Sequence, residues 1–333
     1  MDLLVLGGTR FVGRALLDAA LARGWDVTAL HRGRTGAPPP GVRVLHADRT
    51  DDREFAAAVG GRRWDAVVDT WAGAPRVATA AAQVLAGSTG GYAYVSSASV
   101  YVWGEHVDET SPLVDGDPAG GDEVDYAAAK RGAELGVLAS SPGALLARAG
   151  LVLGPREDIG RLPWWLRRAA AGGRVVAPGH PGRPLQFVDA RDLAAFVLDS
   201  LVAGAGGAVD VASRSGHTTT AGLLRACVEV TGSDAELVWV DEQRLAAAGA
   251  QPWTHLPCWV PTSGEFAGFL EADTSRAAAA GLRCRPVEET VADTWEWLQR
   301  EGFPAQRPDR PVHGLPRELE DGLLRAAGRE ARN

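Results

Sequence analysis

The first thirteen residues constrain the fold most. Residues 3–6 (LLVL) form a four-residue apolar run that stops at Gly7-Gly8, a length that suits a buried strand better than a helix. From Phe11 the apolar positions recur with helical spacing (Phe11, Ala15, Leu16, Ala19) up to residue 22. A buried strand that enters a helix through a glycine turn is the opening unit of a βαβ fold. The alternation continues, with strands expected at 26–30, 42–45, 66–69, 92–96 and 144–148. Helices are expected at 51–59, with Thr50 as N-cap, and at 75–85 and 126–138. Runs this apolar, alternating with helices, predict a parallel sheet covered on both faces. Right-handed crossovers make it a doubly wound α/β Rossmann sheet, with its ligand crevice at the carboxyl ends of the strands.

The second half is less regular. Helices are expected at 162–171, 191–201 (starting near Asp189 or Ala190), 218–230, 287–299 and 317–326, with strands at 208–211 and 237–240. Residues 251–269, rich in Pro, Gly and aromatics, read as a loop. Residues 305–316 read as extended, and the alanine run 277–280 as helix. At roughly 100–200 residues per domain, 333 residues make two domains or one with a lobe attached. The expected division is a Rossmann domain of residues 1–150, re-entered at about 184–213, and a smaller α/β substrate lobe from 151–183 and 214–333.

Charge and cysteine usage narrow the function. With 34 Lys+Arg against 42 Asp+Glu the net charge is −8, which disfavours a nucleic-acid partner because phosphate contacts need clustered cations. The three cysteines, Cys227, Cys258 and Cys284, are far apart and show neither disulfide nor zinc spacing. No apolar run is long enough to span a membrane, and the start of the chain has no basic segment before its apolar run, so a cytoplasmic protein with no membrane partner is expected. The acids Asp115, Asp117, Asp122 and Glu123 read as a solvated loop, and no metal site is expected.

The segment Gly7-Gly8-Thr9-Arg10-Phe11-Val12-Gly13 lies at the first βα turn. Glycine there lets the backbone approach a pyrophosphate, while the helix start offers N–H groups and a positive dipole. Gly13 allows close packing of helix on strand. The second strand leads into His31-Arg32-Gly33-Arg34, where an NAD-selective site usually carries an acid for the ribose 2′-hydroxyl. Arg32 and Arg34 suit a 2′-phosphate instead, so NADP is the expected cofactor and NAD the alternative. Asp48, followed by Arg49 after the third strand, is placed to meet the adenine.

Tyr126 and Lys130 are four residues apart and therefore share a helix face. A free tyrosine, with a pKa of about 10, is a poor proton donor near neutral pH. A nearby ammonium stabilises the phenolate and improves it. Ser97, at the end of the fifth strand, supplies a hydroxyl to hold the reacting oxygen. The combination of a glycine turn, Ser96-Ser97 after strand five and a YxxxK about thirty residues on is far more specific than any one of the three.

With these residues in place, the chain resembles an extended or atypical short-chain dehydrogenase/reductase of the broad NAD-dependent epimerase/dehydratase group, over most of its length. Residues 94–101 (YVSSASVY) resemble the family's strand-five signature, with Ser97 at the catalytic Ser/Thr position, and Tyr126 and Lys130 match the catalytic pair. Residues 65–69 (DAVVD) resemble strand four. Residues 148–155 (RAGLVLGP) resemble the strand-six segment near the nicotinamide, which brings Ala149 to the cofactor. Residues 186–194 (QFVDARDLA) resemble the later return to the cofactor domain. Three positions depart from the pattern. Arg10 replaces the middle glycine, as in the atypical branch that includes chloroplast RNA-associated members. Trp71 stands where a small residue commonly lies beside the cofactor path. Arg183 falls two positions before the arginine that holds a diphosphate in nucleotide-sugar members, with Leu185 and Gln186 near the expected place.

The resemblance puts Trp103, Trp164, Trp165, Trp253 and Trp259 around the crevice, where indoles favour an apolar or aromatic substrate or stack on a sugar. Trp103, Trp164, Trp165, Arg183 and Trp259 are thus the substrate-side candidates, and His106, His180 and His255 are candidates for polar contacts. The leading functional expectation is an NADP-dependent reductase or dehydrogenase of a carbonyl/alcohol small molecule, with Ser97, Tyr126 and Lys130 as its catalytic group. The alternatives are a nucleotide-sugar epimerase or dehydratase with tightly held NAD, and a non-catalytic cofactor-binding or RNA-associated protein. Ala98 and Ser99 supply no carboxylate acid beside Ser97, which favours epimerase over dehydratase. The resemblance also implies a homodimer through two sheet-flanking helices.

Overall fold

A computed structural model describes residues 1–104, 107–264 and 266–330. Seven parallel strands make the central sheet: β1 (Asp2–Leu6), β2 (Asp26–His31), β3 (Arg43–His46), β4 (Trp64–Asp69), β5 (Thr89–Ser97), β6 (Leu145–Ala149) and, from later in the chain, β10 (Gly207–Val211). Their order is β10-β6-β5-β4-β1-β2-β3. The order reverses on either side of β1, so the crevice opens at the carboxyl ends of β1 and its neighbours.

Alternation along β1 shows how the layers form. Leu3 and Val5 face α1 (Phe11–Ala22) and α6 (Ala190–Val202), burying Leu16, Leu17, Leu193 and Val197 with them. Leu4 and Leu6 face the other way, toward α2 (Asp52–Val59), α3 (Pro75–Leu85) and α4 (Tyr126–Ser140), where Phe55, Ala78 and Val137 are buried. Side chains of period two in a strand covered on both faces give the unbroken apolar run seen in the sequence.

A separate apolar core gathers α5 (Arg161–Ala170), α7 (Thr220–Thr231), α10 (Val287–Glu301) and α11 (Arg317–Glu330) around the parallel pair β8 (Arg174–Pro178) and β11 (Glu236–Val240). The remaining elements are the two-residue parallel pair β7 (Val152–Leu153) and β9 (Val188–Asp189), and the short helices α8 (Glu242–Ala247) and α9 (Ser275–Ala279). Among the described residues no helix is long and apolar enough to cross a membrane.

Several local expectations change. Asp51, not Thr50, caps α2: its carboxylate accepts from the N–H groups of Arg53 and Glu54, while Thr50 donates to Asp48. Asp189 caps α6 and Thr219 caps α7 through their side chains. β5 begins three residues earlier than expected, at Thr89, because Gly90 and Gly91 pair as strand although neither favours it. β8 and α8 are absent from the sequence reading: β8 is five residues between a glycine pair and Pro-Gly, and α8 is six residues long, too short for a period to show. Residues 305–316 are not continuously extended. The Arg310 N–H donates to the Arg307 carbonyl at 3.3 Å, closing a turn.

Candidate active site

The glycine turn forms one wall of a crevice of about 650 Å³. Gly7 has φ +121°, and a Cβ on it would lie 2.3 Å from the Thr70 hydroxyl oxygen. A Cβ on Gly13 would lie 2.6 Å from the Gly8 backbone nitrogen, so α1 is seated directly on the turn. Arg10 occupies the N-cap of α1 without a side-chain cap, and the first turn holds no acid. The N–H groups of this helix start therefore have no side-chain acceptor where they border the crevice, the arrangement of an anion site. Thr9, Arg10, Phe11 and Val12 line the crevice beside them. A turn that admits no side chain, with uncapped N–H groups, fits the diphosphate of a dinucleotide.

At the crevice's other end stand Arg32, Arg34, Asp48 and Arg49. Arg32 is 45% exposed and lies 3.7 Å from Asp48. Asp48 accepts the Thr50 N–H at 3.0 Å, the main reason its carboxyl lies below the ordinary carboxylate range. Arg49 is committed elsewhere: it makes a two-pronged contact with buried Asp69, 2.7 Å on each arm. Its guanidinium also sits 5.2 Å from the Trp71 ring centroid. Its face toward the crevice is thus carried by a structural ion pair rather than by a mobile charge.

The three residues expected to do chemistry sit on adjacent elements. Ser97 ends β5 beside Ala149 of β6 in register, and its oxygen accepts the Ser99 N–H at 3.1 Å. Tyr126 is the first residue of α4, which Asp125 caps by accepting the N–H groups of Ala127 and Ala128. The Tyr126 side chain is 42% exposed. Lys130 follows one turn later and is buried, its ammonium donating to the carbonyls of Trp71 at 2.7 Å and Val95 at 2.8 Å. Burial pushes the Lys130 pKa down to about 7, against the pull of Asp69 and Glu134. An ammonium fixed one helical turn from a phenol supplies the positive field that proton release from that phenol requires.

The substrate-side candidates disperse. Trp165 and Trp259 are buried in the second core, Trp165 donating to the Pro257 carbonyl, and Trp164 packs edge-on to Trp165 at 4.6 Å. Trp103 packs against Phe269 at 4.6 Å with the rings tilted by 55°, and lines a small cavity with Ala98, Gln186 and Asp210. Trp253 packs against Phe269 from the other side at 4.9 Å. Arg183 is buried, with its guanidinium donating to the carbonyls of Val260 and Pro261 and paired with Glu242 at 3.4 Å. It has no free face for a diphosphate. His255 accepts from the Gln251 N–H and His180 from the Gly182 N–H, both within their own turns. His106 lies outside the described residues.

Sequence reasoning missed the crevice's outer wall. Residues 307–310 and Asp158 line the same space as the glycine turn. Arg307 pairs with Asp158 at 3.3 Å and Asp309 at 2.6 Å, and Asp158 lies 3.5 Å from Arg10. The Arg310 guanidinium is 5.7 Å from the Tyr126 ring centroid. A Pro-rich turn carries no periodic signal, and nothing in the sequence pairs it with a segment about 300 positions away.

Comparison with known proteins bears on the fold and the family. No curated protein sequence matches the chain. The fold is similar to that of the Bordetella bronchiseptica enzyme WbmH in complex with NAD+ (19% identity, 91% of this chain and 100% of that one, TM-score 0.69). It is also similar to the UDP-glucose 4-epimerase of Thermus thermophilus in complex with NAD (21% identity, 90% and 99%, TM-score 0.64). A third similar fold is UDP-N-acetylglucosamine 4-epimerase from Methanobrevibacter ruminantium M1 (18% identity, 90% and 98%, TM-score 0.67). Residues 3–212, spanning the glycine turn, Ser97, Tyr126 and Lys130, match the NAD dependent epimerase/dehydratase family, and the chain belongs to that family.

Proposed function

We propose that the protein is a redox-neutral enzyme of epimerase type that acts at a secondary alcohol carbon of a sugar-like substrate and keeps its nicotinamide dinucleotide between turnovers. The observation that carries this reading is the outer wall of the crevice. Residues 307–310 form it, tied to Asp158 by Arg307 and braced internally by the Gln306 side-chain amide, which donates to the carbonyls of Arg307, Arg310 and Pro311. A reductase must exchange its dinucleotide at every turnover, so a second wall tied in place slows it. An epimerase returns the hydride to the same substrate and has no such need.

The bound dinucleotide supplies the hydride acceptor and donor. Ser97 holds the substrate oxygen, and Tyr126 takes its proton and later gives it back. In its protonated form Lys130 sets a positive charge one helical turn from that phenol.

One observation favours the second reading, an NADP-dependent carbonyl/alcohol reductase. The end of β2 carries Arg32 and Arg34 toward the crevice with no acid on that strand end, and Arg183 is spent in the second core instead of facing a diphosphate. The two readings separate in one experiment: native mass spectrometry of freshly purified protein, followed by denaturing release and chromatography of any nucleotide. NAD that survives dialysis supports the epimerase reading. An empty protein that binds NADPH more tightly than NADH overturns it in favour of the reductase.

A further inference from the structure

Resting on that reading of the crevice as a dinucleotide site, we propose that Arg310 is a phosphate-binding residue, one that closes on the dinucleotide's diphosphate from the side opposite the glycine turn. Residues 307–310 lie outside the stretch that matches the family, which ends at residue 212.

The argument begins with how the two arginines of the turn are used. Arg307 is committed to Asp158 and Asp309. Arg310 has no carboxylate partner among the described residues, and its Nε is buried without a hydrogen-bond acceptor. A guanidinium presents five donors, and leaving a buried one unmet costs stability unless a ligand completes it. The contact it does make, over the Tyr126 ring at 5.7 Å, is a weak cation–π one that leaves its N–H edge free. Both Arg310 and the uncapped start of α1 line one crevice. An anion seated on the helix start would thus meet a planar fork of donors from the other wall, the arrangement that binds phosphate most strongly.

The fold explains why this arginine is held there. Gln306 donates to the Arg310 carbonyl at 3.1 Å and the Arg310 N–H closes the turn on Arg307, so the backbone holds this arginine at the crevice wall. Arg183, nearest in sequence to the family's diphosphate arginine, is buried against the carbonyls of Val260 and Pro261 and cannot serve.

The test is titration calorimetry of the full chain, freed of any nucleotide that co-purifies, with adenosine, ADP and NAD+. Arg310→Gln is expected to weaken ADP and NAD+ by about tenfold, the worth of one charge-assisted hydrogen bond, and to leave adenosine unchanged. Arg310→Lys, which keeps charge but not the fork, is expected to lie between. Unchanged ADP and NAD+ affinity in both variants, with NAD+ still bound, overturns the role of Arg310 and leaves the cofactor reading standing. An equal loss for adenosine and ADP also overturns it, since it marks a merely structural residue. If the parent chain binds neither ADP nor NAD+, both readings fall together.

Discussion

The Lys130 ammonium hangs from the carbonyl oxygen of Trp71, 2.7 Å away, and the Tyr94 hydroxyl donates to that same oxygen at 3.0 Å. The bulky residue at a position where a small one was expected is therefore used through its backbone. Its ring is held in place, with Nε1 donating to the Ala74 carbonyl and the Arg49 guanidinium over it at 5.2 Å. Its own N–H donates to Asp69 at 2.9 Å. Asp69 thus sets Trp71, and Trp71 sets Lys130.

Asp69→Ala should therefore act twice. It leaves the Arg49 guanidinium buried and unpaired, and one-sided removal of a buried pair costs about 3–5 kcal/mol. It also frees the Trp71 backbone beneath Lys130. Urea unfolding measures the first effect and NADH binding the second. A loss below about 1 kcal/mol, the worth of a surface pair, would show that Asp69 does not anchor this corner.

Replacing Tyr126 by Phe removes one oxygen from a side chain that is half exposed at the start of α4. Turnover should fall by about 100-fold or more, as for loss of a positioned acid–base group, while NADH affinity stays close to that of the parent. Steady-state kinetics on any accepted substrate, alongside fluorescence titration of NADH, checks both. Surviving turnover would place the proton donor elsewhere.

Glu157 gives a pH signature. Its fully buried carboxyl accepts the N–H groups of Arg161 and Leu162 at the start of α5, and burial raises its pKa from 4.5 to about 7. Between those values the folded chain keeps a proton that the unfolded chain has released, so this group's contribution to stability falls as pH rises through the window. The stability of the parent relative to Glu157→Gln should therefore shrink from pH 5 to pH 7, by up to about 1.4 kcal/mol per pH unit. Denaturant unfolding of both proteins at the two pH values decides it. A constant difference would mean that the carboxyl ionises normally.

Arg32→Ala tests cofactor choice. If Arg32 receives a 2′-phosphate, its loss should weaken NADPH by about tenfold, one charged hydrogen bond, and NADH much less. Equal effects on the two would reduce Arg32 to the partner of Asp48. Fluorescence titration with each nucleotide gives the answer.

What was legible in the sequence was what repeats or sits next to itself. The strand–turn–helix alternation announced the sheet because strands covered on both faces need continuous apolar runs. Tyr126 and Lys130 announced themselves because a helix brings positions four apart onto one face. Pairings that depend on distant backbone were not legible. Arg49 does line the crevice, but its ion pair with buried Asp69, twenty positions away, could not be read from the sequence. Arg183 looked like a displaced diphosphate arginine, and only the fold shows its guanidinium held by carbonyls about eighty positions on. The tryptophans marked the second core more than a pocket, because an indole is as useful to packing as to recognition.

The turn at 307–310 places the two walls of the crevice at opposite ends of a translation schedule. At about 5–20 residues per second, the glycine turn leaves the ribosome on the order of 15–60 s before Arg310 does. In that interval the seven strands of the sheet, complete at Val211, can already shape the inner wall without the outer one. A nucleotide captured by the nascent sheet would meet the glycine turn alone, and the retention proposed above would begin only once residues 307–310 have docked beside Asp158.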